Sequence, residues 1–304
     1  MAYGLKTYQD GSRREDLIDL ITDVSPDDNP LSTMLATTTA TQSLHEWTED
    51  YISRPSSVSK AIEGAAATYS DLTQPSRRVN VTQIISQTFR VSGTESAVAV
   101  AGGRDPYDYQ AAKALREWKN KMEYALINGS IASGSSGVAR EMSGLDSVIT
   151  THATQRNSGT SLSETEFNDC VEEVWNDVGK EDVFDTVLTT FGLKRKISTF
   201  TAGNNRYMDA SDKKLVRPVM IYESDGGIHK IMAHKDVRRA AATPGPTIYG
   251  IKEDKYKIAY LRKPEREELA KDGDRRNGQI VGEGTLEYLA ERTSFKRTGY
   301  NQNG

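Results

Sequence analysis

The stretch at residues 105–128, DPYDYQAAKALREWKNKMEYALIN, restricts the fold more than any other part of this chain. Asp105 is a good N-cap, and Pro106 falls at the first helical position, where its missing N–H costs nothing. Ala111, Leu115, Trp118, Met122 and Ala125 follow at spacings of four, three, four and three, which predicts a single apolar face. Glu117 precedes Lys121 by four residues, the favourable order for a helical charge pair. Asn128-Gly129 supplies a stop. A helix of this length spans roughly 35 Å. Only one stripe is apolar, so it has to lie across a sheet or another layer.

Ahead of the helix the chain looks extended. Residues 44–52, LHEWTEDYI, and residues 78–92, RVNVTQIISQTFRVS, predict a long two-stranded arm. Val79, Val81, Ile85, Phe89 and Val91 alternate onto one face, with Ile84 as the exception. The tip between the strands is small and polar, punctuated by Pro55, Gly64 and Pro75. A ribbon reaching roughly 45 Å is marginal alone in water. It calls for a neighbouring subunit, or else folds back on its own sheet. Residues 1–43 carry a short helix signal: Ser12 and Glu15 have capping-box spacing, followed by Leu17, Ile18, Leu20 and Ile21. The helix is expected to stop before Ser25-Pro26. This segment is either a frayed terminus or an arm lying on a partner.

Behind the helix comes a mixed region. The glycine-rich residues 129–145 lack the Lys-Ser/Thr spacing of a phosphate loop. Leu145, Val148 and Ile149 begin a short ordered segment, and residues 150–162 read as a Thr/Ser/Asn-rich loop. Residues 163–245 predict a compact α/β lobe. In it Ser163 and Glu166 repeat the capping box before the face Phe167, Cys170, Val171, Val174, Trp175 and Val178, ending at Gly179. Val183–Leu188 reads as a buried strand, TTFGLKRKISTFT as a helix, and Gly203-Asn204-Asn205 as a turn. Asp225-Gly226-Gly227 joins two apolar runs, a hairpin signal. Residues 248–251, 256–261 and a final strand from Gly278 are strand-like, with the last expected beside residues 84–92 and the long helix. The tail FKRTGYNQNG is expected to be exposed.

Composition excludes several functions. The formal net charge is −4 with no dominant cationic cluster, which argues against sequence-reading nucleic-acid binding. One cysteine allows no internal disulfide, and Cys170 reads as a small packed hydrophobe. No apolar run approaches a membrane span, and the N-terminal residues lack the apolar core of a signal peptide, so the expectation is a soluble chain made in the cytoplasm. None of His45, His152, His229 and His234 has a second ligand at helical metal spacing, so all four read as packed or surface histidines. The pairs Glu172-Glu173 and Glu267-Glu268 read as solvated faces. No nucleophile elbow or dinucleotide fingerprint occurs. No catalytic, cofactor-binding or metal residues are therefore assigned, and no cofactor is expected.

The order of parts is arm, long hairpin, long helix, α/β lobe and returning strands. It resembles the major capsid proteins of tailed double-stranded DNA bacteriophages, with the α+β Hong Kong 97-type fold. SRREDLIDLITDVSPDDNP (12–30), LHEWTED (44–50), AIEGAAATYS (61–70), the run at 80–94, the helix end at 119–129 and GQIVGEGTLE (278–287) are similar to one group of these coat proteins. The resemblance implies an N-terminal arm at 1–43 and an extended hairpin, the E-loop, at 44–93. It implies a P-domain at 94–162 with its spine helix at 105–128, and an A-domain at 163–245. Residues 246–304 would supply P-domain return strands and the C-terminal tail.

The same resemblance implies a structural protein, not an enzyme. It would assemble in the bacterial host cytoplasm into hexamers and pentamers of an icosahedral head around double-stranded DNA, and end in the virion capsid. Expected partners are other copies of the chain, a separate scaffolding protein, a portal and a decoration protein. DNA would be met only through non-specific proximity, and no membrane is involved. Some such phages join the hairpin tip to a neighbour through a Lys–Asn isopeptide bond. Lys60 near the tip, with Asn301 or Asn303 near the end, has the required chemistry, although a tip lysine also serves simply as a solubilising charge. The rival readings are an encapsulin-like compartment shell and a soluble oligomeric enzyme.

Overall fold

The computed structural model describes residues 29–52, 55, 57–58, 60–67, 69, 74–97, 105–200, 221–224, 226–237 and 245–301. The helix expected after Ser12, the turn at Gly203-Asn204-Asn205 and Asn303 lie outside them. The helices are α1 (Pro30–Met34), α2 (Gly93–Ala97), α3 (Pro106–Asn128), α4 (Leu145–Val148), α5 (Glu164–Val178) and α6 (Phe191–Phe200). The strands are β1 (Ala36–Thr39), β2 (Leu44–Glu49), β3 (Ser76–Val81), β4 (Gln83–Ser92), β5 (Ala153–Thr160), β6 (Thr186–Thr189), β7 (Ile221–Ser224), β8 (Gly227–Ala233), β9 (Thr247–Ile251), β10 (Tyr256–Leu269), β11 (Arg275–Tyr288) and β12 (Phe295–Tyr300).

These strands form three sheets: a four-stranded sheet in the order β1-β10-β11-β4, a six-stranded sheet in the order β5-β12-β9-β6-β8-β7, and the two-stranded ribbon β2-β3. Helix α3 begins as its sequence dictates, with Asp105 accepting from the Tyr107 N–H at 2.8 Å. It crosses the four-stranded sheet, and the Trp118 indole N–H donates to Ile85 O at 2.8 Å. The close approach is possible because β11 carries glycines beneath it. A Cβ at Gly278 would stand 2.6 Å from the Tyr107 hydroxyl, and one at Gly282 would stand 2.5 Å from Trp118 Cζ2. As expected, β11 lies beside β4, with Gly278 opposite Phe89.

The apolar face of α3 is rotated slightly from the predicted one. Ala114 is buried and Leu115 sits at the exposed flank. Small residues at the contact let the backbone approach, and the larger Leu is pushed to the side. Glu117 and Lys121 do not pair with each other: Gln87 Nε2 donates to Glu117 at 2.5 Å, and Lys121 Nζ donates to Ser86 O at 2.9 Å. Sheet groups within reach outcompete a weak helical pair.

Three other expectations are corrected. The arm is shorter than its sequence suggests: β2 pairs only with β3, from Leu44 opposite Val81 to Glu49 opposite Ser76. The return strand breaks at Thr82, whose N–H donates to Ser43 O and whose hydroxyl donates to Glu283 at 2.7 Å. The Asn80 amide also bonds Ser143 and Leu286 backbone. These tethers turn the chain out of the ribbon and into the larger sheet. Next, residues 153–160, expected as loop, form β5, parallel to β12. Finally, the tail is not exposed as far as Tyr300. Strand β12 lies between β5 and β9 with Phe295 and Tyr300 buried. Its basic residues are matched: Arg297 donates to His152 O at 2.9 Å and to the Glu173 carboxylate, and Lys296 donates to Asp146 O. Residues 246–304 are thus divided. Only β10 and β11 join the sheet under α3, while β9 and β12 belong to the six-stranded one.

Candidate assembly surfaces

The ribbon β2-β3 is anchored at the Glu49–Ser76 end that leads into its tip, and the described tip residues from Ile52 onward are exposed. Glu49 is buried at that end; its carboxylate accepts from Arg78 Nε at 2.5 Å, from the Glu291 N–H at 3.1 Å and from the Tyr51 hydroxyl. Trp47 meets Tyr288 edge-on at 4.8 Å, and His45 Nε2 lies 3.0 Å from Glu287. A two-stranded ribbon cannot bury both faces, so this anchor supplies its rigidity. Beyond it Ile52, Val58, Ile62 and Tyr69 are all more than four-fifths exposed. Lys60 is exposed as well, and Asn301 donates its N–H to Thr160 O at the end of β5.

The six-stranded lobe presents a second apolar surface. Among the described residues strand β7 is a sheet edge, and Ile221 and Ile228 lie exposed on it and its partner β8, with Phe191 exposed at the start of α6. A strand edge with exposed apolar residues is suited to meeting another chain.

Groups that resemble catalytic chemistry are engaged structurally. The His229 Nδ1–H donates to Phe184 O at 2.9 Å, and Nε2 accepts from the Ser224 hydroxyl at 2.7 Å. Burial pushes the His229 imidazole down to about 4, which makes it a poor base for activating that serine. The pair closes the β7–β8 turn. Cys170 donates to Glu166 O, and burial pushes its thiol up to about 11, against nucleophilic use. His152 and His234 are buried beside Glu173 and Glu123, and Glu173, itself exposed, also accepts from Arg297. Glu267 and Glu268 are exposed and bond Gln279 and Arg276. Among the described residues no group of three His, Cys, Asp or Glu side chains could hold a metal ion, and no helix is long and apolar enough to cross a membrane.

The model of the SU10 major capsid protein family matches residues 3–301. This chain belongs to that family. Its similarity to individual relatives is more remote. The major capsid protein of Escherichia phage Phieco32 is 26% identical over 123 residues, which is 40% of this chain and 35% of that relative. The match therefore spans about a third of that relative's length. The cyanophage A-1(L) capsid subunit superposes with a TM-score of 0.70 at 14% identity, covering 97% of this chain and 98% of that one. The SrpI encapsulin of Synechococcus elongatus PCC 7942 gives a TM-score of 0.60 at 10% identity, over 96% and 94% of the two chains. At these identities the likeness shows the fold, the Hong Kong 97 type.

Proposed function

We propose that the chain is the coat subunit of an icosahedral phage head, joining copies of itself into hexamers and pentamers around double-stranded DNA. The observation that carries this reading is the family match across residues 3–301, on a chain whose tip residues Ile52, Val58, Ile62 and Tyr69 lie exposed. In this reading residues 1–43 are the N-terminal arm, and the ribbon β2-β3 with its tip, residues 44–81, is the E-loop that overlies an adjacent subunit. Helix α3 with β4, β10 and β11 is the centre of the P-domain. Residues 163–245, extended by β5, β9 and β12, form the A-domain, whose β7 edge and exposed Ile221 and Ile228 face the ring axis.

Function is assembly, not catalysis. Closed rings need one surface to meet a different surface on the next copy, and ribbon and lobe edge are two such surfaces. A scaffolding protein sets shell size, a portal occupies one vertex, a decoration protein binds outside, and assembly takes place in the host cytoplasm before the subunit resides in the virion. The weak net acidity keeps the wall from gripping DNA. Lys60 acts as a solubilising tip charge, so boiled, denatured particles run as monomers; a ladder of higher species would assign Lys60 to a covalent link instead.

The encapsulin likeness favours one second reading, a protein-filled compartment. Nuclease treatment of particles recovered from the producing cell separates the two. Protected double-stranded DNA supports the coat reading. A protein cargo without protected DNA overturns it.

A further inference from the structure

A groove of about 620 Å³ runs between α3 and β4. Its walls include Ile84, Ile85, Asn120, Lys121, Tyr124 and Glu141. Ile84 is 50% exposed and Tyr124 is 57% exposed, so an apolar strip lies open on an otherwise well-packed helix and strand. Lys121 bridges the two walls through its bond to Ser86 O.

The chain enters the described part of the molecule at the mouth of this groove. Asn29 Nδ2 donates to Oδ1 of Asn120, a groove residue, at 2.8 Å. Two residues later the Leu31 and Ser32 N–H groups donate to Glu123. Asn29, to which residues 1–28 are joined, thus lies beside the groove. Their sequence suits it. Leu17, Leu20, Ile21 and Val24 recur at helical spacing after the Ser12/Glu15 capping box. The four residues 25–28 can extend about 14 Å, enough to turn the segment into the groove. From Asn120 to Gly129 the helix wall runs about 14 Å, comparable with the span of residues 17–24 as a helix, roughly 11 Å. That direction brings Arg13 and Arg14 towards Glu141 at the far end.

We propose that the apolar stripe Leu17, Leu20, Ile21 and Val24 of the same chain occupies the α3–β4 groove. The segment then covers Ile84 and Tyr124 and adds a layer beside the spine helix. Docking within one chain would fix the start of the N-terminal segment before any neighbour is met. It does not rest on the coat reading, because every contact it needs lies within one subunit.

Disulfide trapping tests it. Cys170 is buried, so introduced thiols dominate oxidation. The full-length Leu20→Cys, Tyr124→Cys double variant is oxidised and run unreduced, beside a Leu20→Cys, Phe191→Cys control whose second site lies exposed on α6. Close docking predicts an intrachain disulfide that forms roughly tenfold or more faster than in the control. A disulfide between chains, or formation no faster than the control, overturns the proposal. Hydrogen exchange on full-length Leu17→Asp, Leu20→Asp protein gives a second readout. Protection lost at Ile84–Gln87 and at the Tyr124 side of α3 is expected, and protection equal to the unsubstituted chain contradicts it.

Discussion

His234 Nε2–H donates to Glu123 Oε1 at 2.7 Å, with both side chains fully buried. His234 Nδ1 accepts from the Asp236 N–H at 3.0 Å, so the imidazole is neutral with its proton on Nε2. Glu123 also accepts from Leu31 and Ser32, at 2.7 and 2.8 Å. One carboxylate on α3 thus ties the N-terminal segment to the loop after β8. A buried carboxylate is tolerable only because its oxygens are so fully used.

Glu123→Ala leaves two backbone N–H groups and an imidazole N–H without their acceptor, and costs about 3–5 kcal/mol. Urea unfolding reads the loss. Hydrogen exchange at Leu31 and Ser32 locates it, since their protection should fall first. Unchanged protection there would contradict the tie.

His229 makes stability depend on pH with a definite sign. Its folded value is pushed down to about 4 by burial, below the ordinary 6.5 of the unfolded chain. Above 6.5 the folded and unfolded states are both neutral and its contribution is complete. As pH falls from 6.5 towards 4, only the unfolded state takes up the proton, and stability drops by up to about 3 kcal/mol. His229→Gln removes this component. Urea midpoints at pH 7.5 and 4.5 should therefore differ less in the variant than in the parent.

Gly282 sits under Trp118. An added Cβ would stand 2.5 Å from the indole and 3.1 Å from Pro264 Cα, and neither the buried ring nor the backbone yields cheaply. Gly282→Ala should cost about 2 kcal/mol through overpacking. Calorimetry on this variant checks whether α3 lies as close to β11 as described; a neutral effect would mean that it does not.

Phe295 tests the reading of the C-terminal strand. It is buried, and touches Phe184 at a ring distance of 4.7 Å. Phe295→Ala should cost about 3–5 kcal/mol. An exposed tail would give an effect within about 0.5 kcal/mol in the same unfolding measurement.

Elements governed by neighbours along the chain were legible in the sequence. The Asp105-Pro106 start, the Ser163 cap that accepts from the Glu166 N–H, and the β7–β8 hairpin all obey local rules. The break at Thr82 does not, because Ser43 and Glu283, which create it, are far away in sequence. Strand β12 was hidden because Lys296 and Arg297 look like surface residues; only Asp146, Glu173 and the His152 carbonyl make their burial tolerable. The glycines at 278, 282 and 284 were in plain view. Their spacing on one face of a strand is a usable sign that a helix crosses closely. The assembly surfaces were legible only in outline: the ribbon was visible as a long amphipathic pair, but its anchor at Glu49, Trp47 and Tyr288 required the fold.

Negative-stain electron microscopy of the expressed chain, alone and with the products of its neighbouring genes, tests the coat reading most directly. Closed shells, or rings of five and six subunits, are the predicted result. A monodisperse monomer or dimer in both preparations would contradict it.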